Sequence, residues 1–121
     1  MKYFFKIVIC SLFFMSCSTQ ENIKTITTKE LKVLLNEDTI QLMDVRTPKE
    51  IKQGAIKTAL FVNYFDTDFT EKVTKKLDKT KPVYLVCRSG NRSVKACKLL
   101  KEKGFEVYNV LGGFNQWKKE N

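Results

Sequence analysis

The chain has 121 residues, 43% of them hydrophobic, enough for one small domain with its own core and too few for two. It carries 22 basic against 13 acidic residues, a formal charge of +9, and no histidine. The missing imidazole excludes Cys–His nucleophilic pairs, histidine metal sites and histidine general bases together.

The N-terminus does not read as part of the domain. In "MKYFFKIVICSLFFMSCS", Lys2 and Lys6 precede an uncharged run from Ile7 to Ser16. Roughly ten apolar residues are about half of the ~20 that span a bilayer as a helix, so residues 1–16 read as a cleaved leader. "FMSC" resembles the bacterial lipobox, which makes Cys17 the expected lipidation site and residues 17–22 a tether. An ordinary secretory signal with Cys17 incidental is the alternative. The expected location is the bacterial cell envelope, anchored by lipid and facing the periplasm. Ser18 after the cysteine resembles lipoproteins sent on to an outer membrane. Loss of Lys2 and Lys6 lowers the formal charge to +7. Export argues against nucleic acid as the partner of that surplus and leaves anionic headgroups or small anionic substrates. Most lysines are scattered and read as solvated helix faces, whereas two of the three arginines, Arg88 and Arg92, lie within five residues of Cys87.

The domain is expected over residues 23–119. A short strand near Ile23 to Ile26 leads into a helix, with Thr27 as N-cap, Glu30 completing a capping box, and Leu31, Leu34 and Leu35 on one face. "TIQLMDV" reads as a buried strand ending at Asp44, with Arg46 just beyond. "TPKEIKQG" has the signals of a short helix: Thr47 as cap, Pro48 at the first helical position, Glu50 closing a second capping box, Gly54 as the stop. "ALFVN" is the next strand. Asp68 to Leu77 is helical, with Phe69, Val73 and Leu77 on one stripe. Pro82 precedes the strand "VYLVC", Arg92 to Lys103 is a helix closed by Gly104, "FEVYNV" is the last strand, and "GGFNQWKK" a terminal helical turn. Strands alternating with short helices predict an α/β fold, a small parallel sheet of about five strands with helices on both faces. Ligands of such sheets bind beyond the carboxyl ends of the strands. Asp44 and Cys87 sit at two of those ends.

Once Cys10 leaves with the leader and Cys17 is acylated, Cys87 and Cys97 remain. A disulfide between them is one reading. The spacing Val94, Cys97, Leu100 supports the other, in which Cys97 fills a core face. Cys87 opens "CRSGNRS" at a strand-to-helix junction. The N–H groups of Arg88 through Ser93 cannot all be paired in so tight a turn, and curled inward they would cradle the sulfur at the positive end of a helix. That arrangement favours a thiolate without a histidine, here expected to face solvent. Gly90 permits a backbone approach that a side chain would block. Arg92 could fork onto two oxygens of a bound oxyanion.

With "LMDVRTPKEIKQGAI", "VYLVCRSGNRS", "LLKEKGFEVYNV" and "LGGFNQW" in view, the chain resembles a single-domain rhodanese, a thiosulfate sulfurtransferase-like protein, over about residues 24 to 119. The resemblance implies a rhodanese-like fold and a persulfide mechanism. Cys87 would take a sulfane sulfur from a small anionic donor such as thiosulfate and pass it to cyanide or a thiol. Arg88, Ser89, Gly90, Asn91 and Arg92 match the loop that cradles the persulfide, and Ser93 the first residue of the helix behind it. Asp44 and Arg46 match the strand end beside the pocket, read as support for the loop rather than as chemistry. No cofactor and no metal are called for, and a monomer is expected. The chain departs from the pattern at Ala55, where the family often has histidine, and at Thr58, where it often has glycine. Related phosphatases carry the arginine six residues after the cysteine. Here Arg92 is five after Cys87, a ring better suited to a sulfur than to a phosphoryl group. Two alternatives remain: a phosphatase or arsenate reductase, and a rhodanese-fold module that binds a partner or works in redox without turnover.

Overall fold

The computed structural model describes residues 22–121. The expected leader, the lipidation site Cys17 and all but the last residue of the tether lie outside the described residues. In chain order the elements are β1 (Lys24–Ile26), α1 (Thr28–Glu37), β2 (Gln41–Asp44), α2 (Pro48–Ile51), β3 (Leu60–Phe61), α3 (Phe69–Lys76), β4 (Val83–Val86), α4 (Asn91–Glu102), β5 (Val107–Val110) and α5 (Gly113–Glu120). The strands form one parallel five-stranded sheet in the order β1-β5-β4-β2-β3.

Both capping boxes form as the sequence predicts. Thr27 caps α1 and Glu30 returns the bond, at 3.1 and 2.8 Å. Thr47 and Glu50 do the same for α2, with Pro48 at its start. Two differences stand out. Of "ALFVN" only Leu60 and Phe61 pair as strand, and both are exposed, because β3 is an edge with β2 on one side only. The expected terminal turn is an eight-residue helix, long enough to lie against the sheet.

Alternation along the strands sends side chains to two cores. On one face Met43, Val83, Leu85 and Cys87 pack with Phe69, Val73 and Leu77 of the α3 region and with Ala96, Cys97 and Leu100 of α4. On the other, Leu42, Val86 and Val110 meet Leu31 of α1, with Phe114 and Trp117 of α5 packed against them. The sequence stripes of α3 and α4 are therefore core faces, and Cys97 lies inside one.

This strand order positions the site. From β2 the chain moves outward to β3, and from β4 it moves outward to β5 on the other side. The connections diverge between β2 and β4, the two central neighbours, leaving a crevice beyond their carboxyl ends. Asp44 and Arg46 follow one of those ends and Cys87 the other.

Candidate active site

The ends of β2 and β4 are tied by the Val45 N–H, which donates to the Val86 carbonyl at 2.9 Å. One residue on, the chain leaves the sheet at Cys87 and turns through Arg88, Ser89 and Gly90 into α4. Gly90 takes φ +112°, a left-handed conformation that L side chains rarely adopt. This aims its N–H back at the Cys87 Sγ, 3.0 Å away. From the first turn of α4 the Ser93 hydroxyl approaches the same sulfur to 3.3 Å. Among the expected loop amides, that of Gly90 bonds the sulfur.

Cys87 is only 1% exposed. The expected solvent-facing sulfur therefore lies beneath the loop. The loop is held down from outside by α5. The first N–H groups of a helix lack partners within it, and here those of Phe114 and Asn115 donate to the carbonyls of Cys87 and Arg88, at 2.8 and 3.0 Å. Such contact needs Gly113: a Cβ there would collide with the Cys87 carbonyl and come within 2.7 Å of the Arg88 oxygen.

Arg92 is half-buried, and its fork is occupied. Nη1 and Nη2 donate to the two carboxylate oxygens of Glu50 at 2.8 and 2.7 Å. The sequence suggested a fork held out for a ligand; a side chain 42 residues away fills it instead. Glu50 Oε1 also accepts from the Thr47 N–H and hydroxyl, both at 3.0 Å. The Arg92 hydrogen bonds hold the Glu50 carboxyl well below its usual range, at about 2.

Arg46 is saturated too. Its Nε and Nη2 grip the Asp44 carboxylate at 3.0 and 2.8 Å, Nη2 also donates to the Gly54 carbonyl at 2.9 Å, and Nη1 reaches the Glu50 carbonyl at 3.3 Å. The Asp44 carboxylate accepts the Arg46 N–H as well, at 3.0 Å, and the guanidinium lies 4.2 Å from the centre of the Phe114 ring. With both residues buried, the pair ties α2 and α5 to the end of β2.

Arg88, Ser89 and Asn91 are exposed on the loop. Arg88 makes no ion pair among the described residues. It borders a cleft of about 340 Å³ whose other walls include Lys49, Gln53, Phe114 and Lys118. With Arg46, four cations and the one carboxylate of Glu50 line this small cleft, a positive balance that suits an anion. Cys87 and Cys97 are both free, which removes the disulfide reading for this state, and burial pushes the Cys97 thiol up to about 12, an inert group.

Sequence reasoning missed two residues here. Glu50 was read only as a cap. Asn109, on β5, is buried and stands 2.5 Å from the Ser93 hydroxyl through Oδ1. A polar residue inside the apolar run "VYNV" was the available signal.

Comparisons with known proteins place the chain by family and fold. The model of the rhodanese-like domain matches residues 27–120. YtwF of Bacillus subtilis, provisionally named a sulfurtransferase, is 40% identical over 99 residues, covering 81% of this chain and 93% of that protein. The thiosulfate sulfurtransferase GlpE of Coxiella burnetii is 33% identical over 96 residues, 78% of this chain and 87% of its own length. Among solved structures, the rhodanese-like domain protein of Staphylococcus aureus superposes with a TM-score of 0.72 at 35% identity, covering 78% of this chain and 91% of that one.

Proposed function

The chain belongs to the rhodanese-like domain family, and from that premise we propose that it is a sulfurtransferase working through a persulfide on Cys87. The observation that carries the proposal is the sulfur itself, at the end of β4, accepting the Gly90 N–H at 3.0 Å and approached by the Ser93 hydroxyl at 3.3 Å. The Gly90 N–H is a donor aimed at the sulfur, as an anionic sulfur, thiolate and then persulfide, requires. Relatives named sulfurtransferases support the general activity.

In the first half-reaction the Cys87 thiolate attacks the outer sulfur of thiosulfate. The donor's S–S bond breaks, sulfite leaves with its electron pair, and Cys87 carries the transferred sulfur as a persulfide anion. In the second, cyanide or a thiolate attacks that outer sulfur and the Cys87 thiolate leaves with the electron pair of the broken S–S bond. No electrons are gained or lost overall, so no redox cofactor is required. Arg88 and the loop amides receive the anionic donor in this scheme, and Arg92 shapes the loop through Glu50. The experiment is intact mass after thiosulfate treatment. A gain of one sulfur atom, lost again on adding cyanide, is expected. An unchanged mass overturns the mechanism and favours a partner-binding module.

We further propose, on the sequence alone, that Cys17 is acylated and anchors the domain to the cell envelope. Cys17→Ala should then move the protein from the membrane fraction to the soluble exported fraction, or stall its processing. A wholly soluble parent protein would refute this.

A further inference from the structure

The Ser93 hydroxyl has one proton and three acceptors around it. They are Cys87 Sγ at 3.3 Å, the Gly90 carbonyl at 3.1 Å and Asn109 Oδ1 at 2.5 Å. All four residues are buried, so no solvent supplies a substitute donor. The shortest contact takes the proton, and here that is the contact to Asn109. In this arrangement the hydroxyl presents its oxygen, not its proton, to the sulfur. A carboxamide, however, has an acceptor on one side and a donor on the other. Turned half a revolution about its last torsion, Asn109 would donate from Nδ2 to the Ser93 oxygen. The hydroxyl proton would then be released toward Gly90 or the sulfur. An anionic sulfur is the stronger acceptor of the two.

We propose that Asn109 is a positioning residue for the sulfur chemistry, its amide orientation deciding whether Ser93 offers its proton to Cys87. The inference rests on the reading of Cys87 as a sulfur that cycles through anionic states. Asn109 touches no substrate and acts through Ser93. Its place follows from the sheet: β5 lies beside β4 with Asn109 paired to Leu85, two residues before Cys87. From there the side chain reaches under the first turn of α4. An apolar residue would fill the same space, so the carboxamide has a purpose beyond packing.

The test is a double-mutant cycle on purified, folded protein, read by two rates: iodoacetamide alkylation of Cys87 and thiosulfate:cyanide turnover. Ser93→Ala should slow both by about tenfold, the worth of one hydrogen bond to a charged group, with KM for thiosulfate little changed. Ser93→Thr keeps the hydroxyl and should restore both rates. Asn109→Asp keeps the acceptor and loses the donor, so it should slow both like Ser93→Ala, and the double variant should be no slower than either single one. Asn109→Leu removes the acceptor and leaves the hydroxyl proton to the sulfur, so both rates should stay near the parent's. Additive losses, an Asn109→Asp variant with both parent rates, or an Asn109→Leu variant slowed as far as Ser93→Ala per folded molecule, overturn the proposal. If Asn109→Leu does not fold, Asn109→Asp alone decides. It should slow both rates in the parent but not in the Ser93→Ala background. Slowing in both backgrounds means a charge acting directly on the sulfur, and overturns the relay. Alkylation needs no persulfide, so failure of the sulfurtransferase reading would leave this readout intact and distinguishable.

Discussion

The carboxyl ends of β2 and β4 lie side by side, and each is followed by an arginine held by a carboxylate, yet the two arrangements differ in kind. At β2, Asp44 and Arg46 are almost wholly buried, with side chains 0% and 3% exposed. Their bonds run to each other and to backbone carbonyls. At β4, Arg92 and Glu50 keep 19% and 24% exposure, and the neighbouring Arg88 makes no ion pair among the described residues. One end is buried and bonded, the other keeps unspent hydrogen-bonding capacity beside a sulfur. Residue types alone do not make that distinction; burial and the number of acceptors per donor do.

The sharpest break of this comparison is at the sulfur. Cys87→Ser should abolish thiosulfate:cyanide transfer, because a neutral hydroxyl cannot carry a sulfane sulfur. Turnover above about a tenth of the parent, a loss no larger than one hydrogen bond accounts for, would move the chemistry elsewhere. At the opposite end the damage should fall on stability. Asp44→Ala leaves the Arg46 guanidinium buried without its counter-charge, a loss of about 3–5 kcal/mol. Chemical denaturation measures it, and a loss within ~1 kcal/mol, the size of an exposed pair, would mean that the brace is dispensable.

Much of this was readable in the sequence, and the line between what was and was not follows chain distance. Capping boxes at Thr27–Glu30 and Thr47–Glu50 are local, three residues apart, and formed as read. The loop of Cys87 was equally local. The Glu50–Arg92 pair joins residues 42 apart, and Ser93–Asn109 depends on β5 lying next to β4. Neither could follow from periodicity. The depth of Cys87 also escaped, since it is set by α5 pressing on the loop through Gly113, whose glycine pair the sequence flagged without saying what it touches.

Within the β4 end the two arginines should separate kinetically. Arg88→Ala should raise KM for thiosulfate by roughly five- to tenfold with kcat nearly unchanged, the loss of a partly solvated charged contact. Arg92→Ala removes the loop's tie to Glu50 and should lower kcat and thermal stability together. If instead Arg92→Ala changes KM alone, Glu50 is only a stand-in for the donor's oxyanion, and the fork is a binding site after all.

Acid sensitivity gives a smaller, signed effect. Glu50 is held at about 2 in the folded chain by the Arg92 hydrogen bonds, below its usual 4.5. A depressed carboxylate contributes stability that is fully present above 4.5 and lost as the pH falls through about 2. The stability gap between the parent and Glu50→Gln should therefore be widest above that window and close within it. A gap that stays constant across it would place the cost of the substitution in the α2 cap rather than in the ion pair.

The smallest change concerns the backbone between the two ends. The left-handed conformations beside the sulfur belong to glycines, Gly90, Gly112 and Gly113, which adopt them freely. On the β2 side, in the turn from Gly54 to β3, the same region is forced on Thr58, at φ +72°. A β-branched residue there crowds its own backbone, at a cost of roughly 1–2 kcal/mol. Glycine relieves the crowding but gains freedom in the unfolded chain, which returns about 0.5–1 kcal/mol. Thr58→Gly should therefore stabilise the domain by about 1 kcal/mol, a rise of ~4–8 °C in melting temperature for a domain of this size. Turnover should not move, because Thr58 is exposed and bonds to nothing at the sulfur. A fall in melting temperature would mean that the threonine side chain holds this turn in place, and that the β2 end depends on it as the β4 end depends on its glycines.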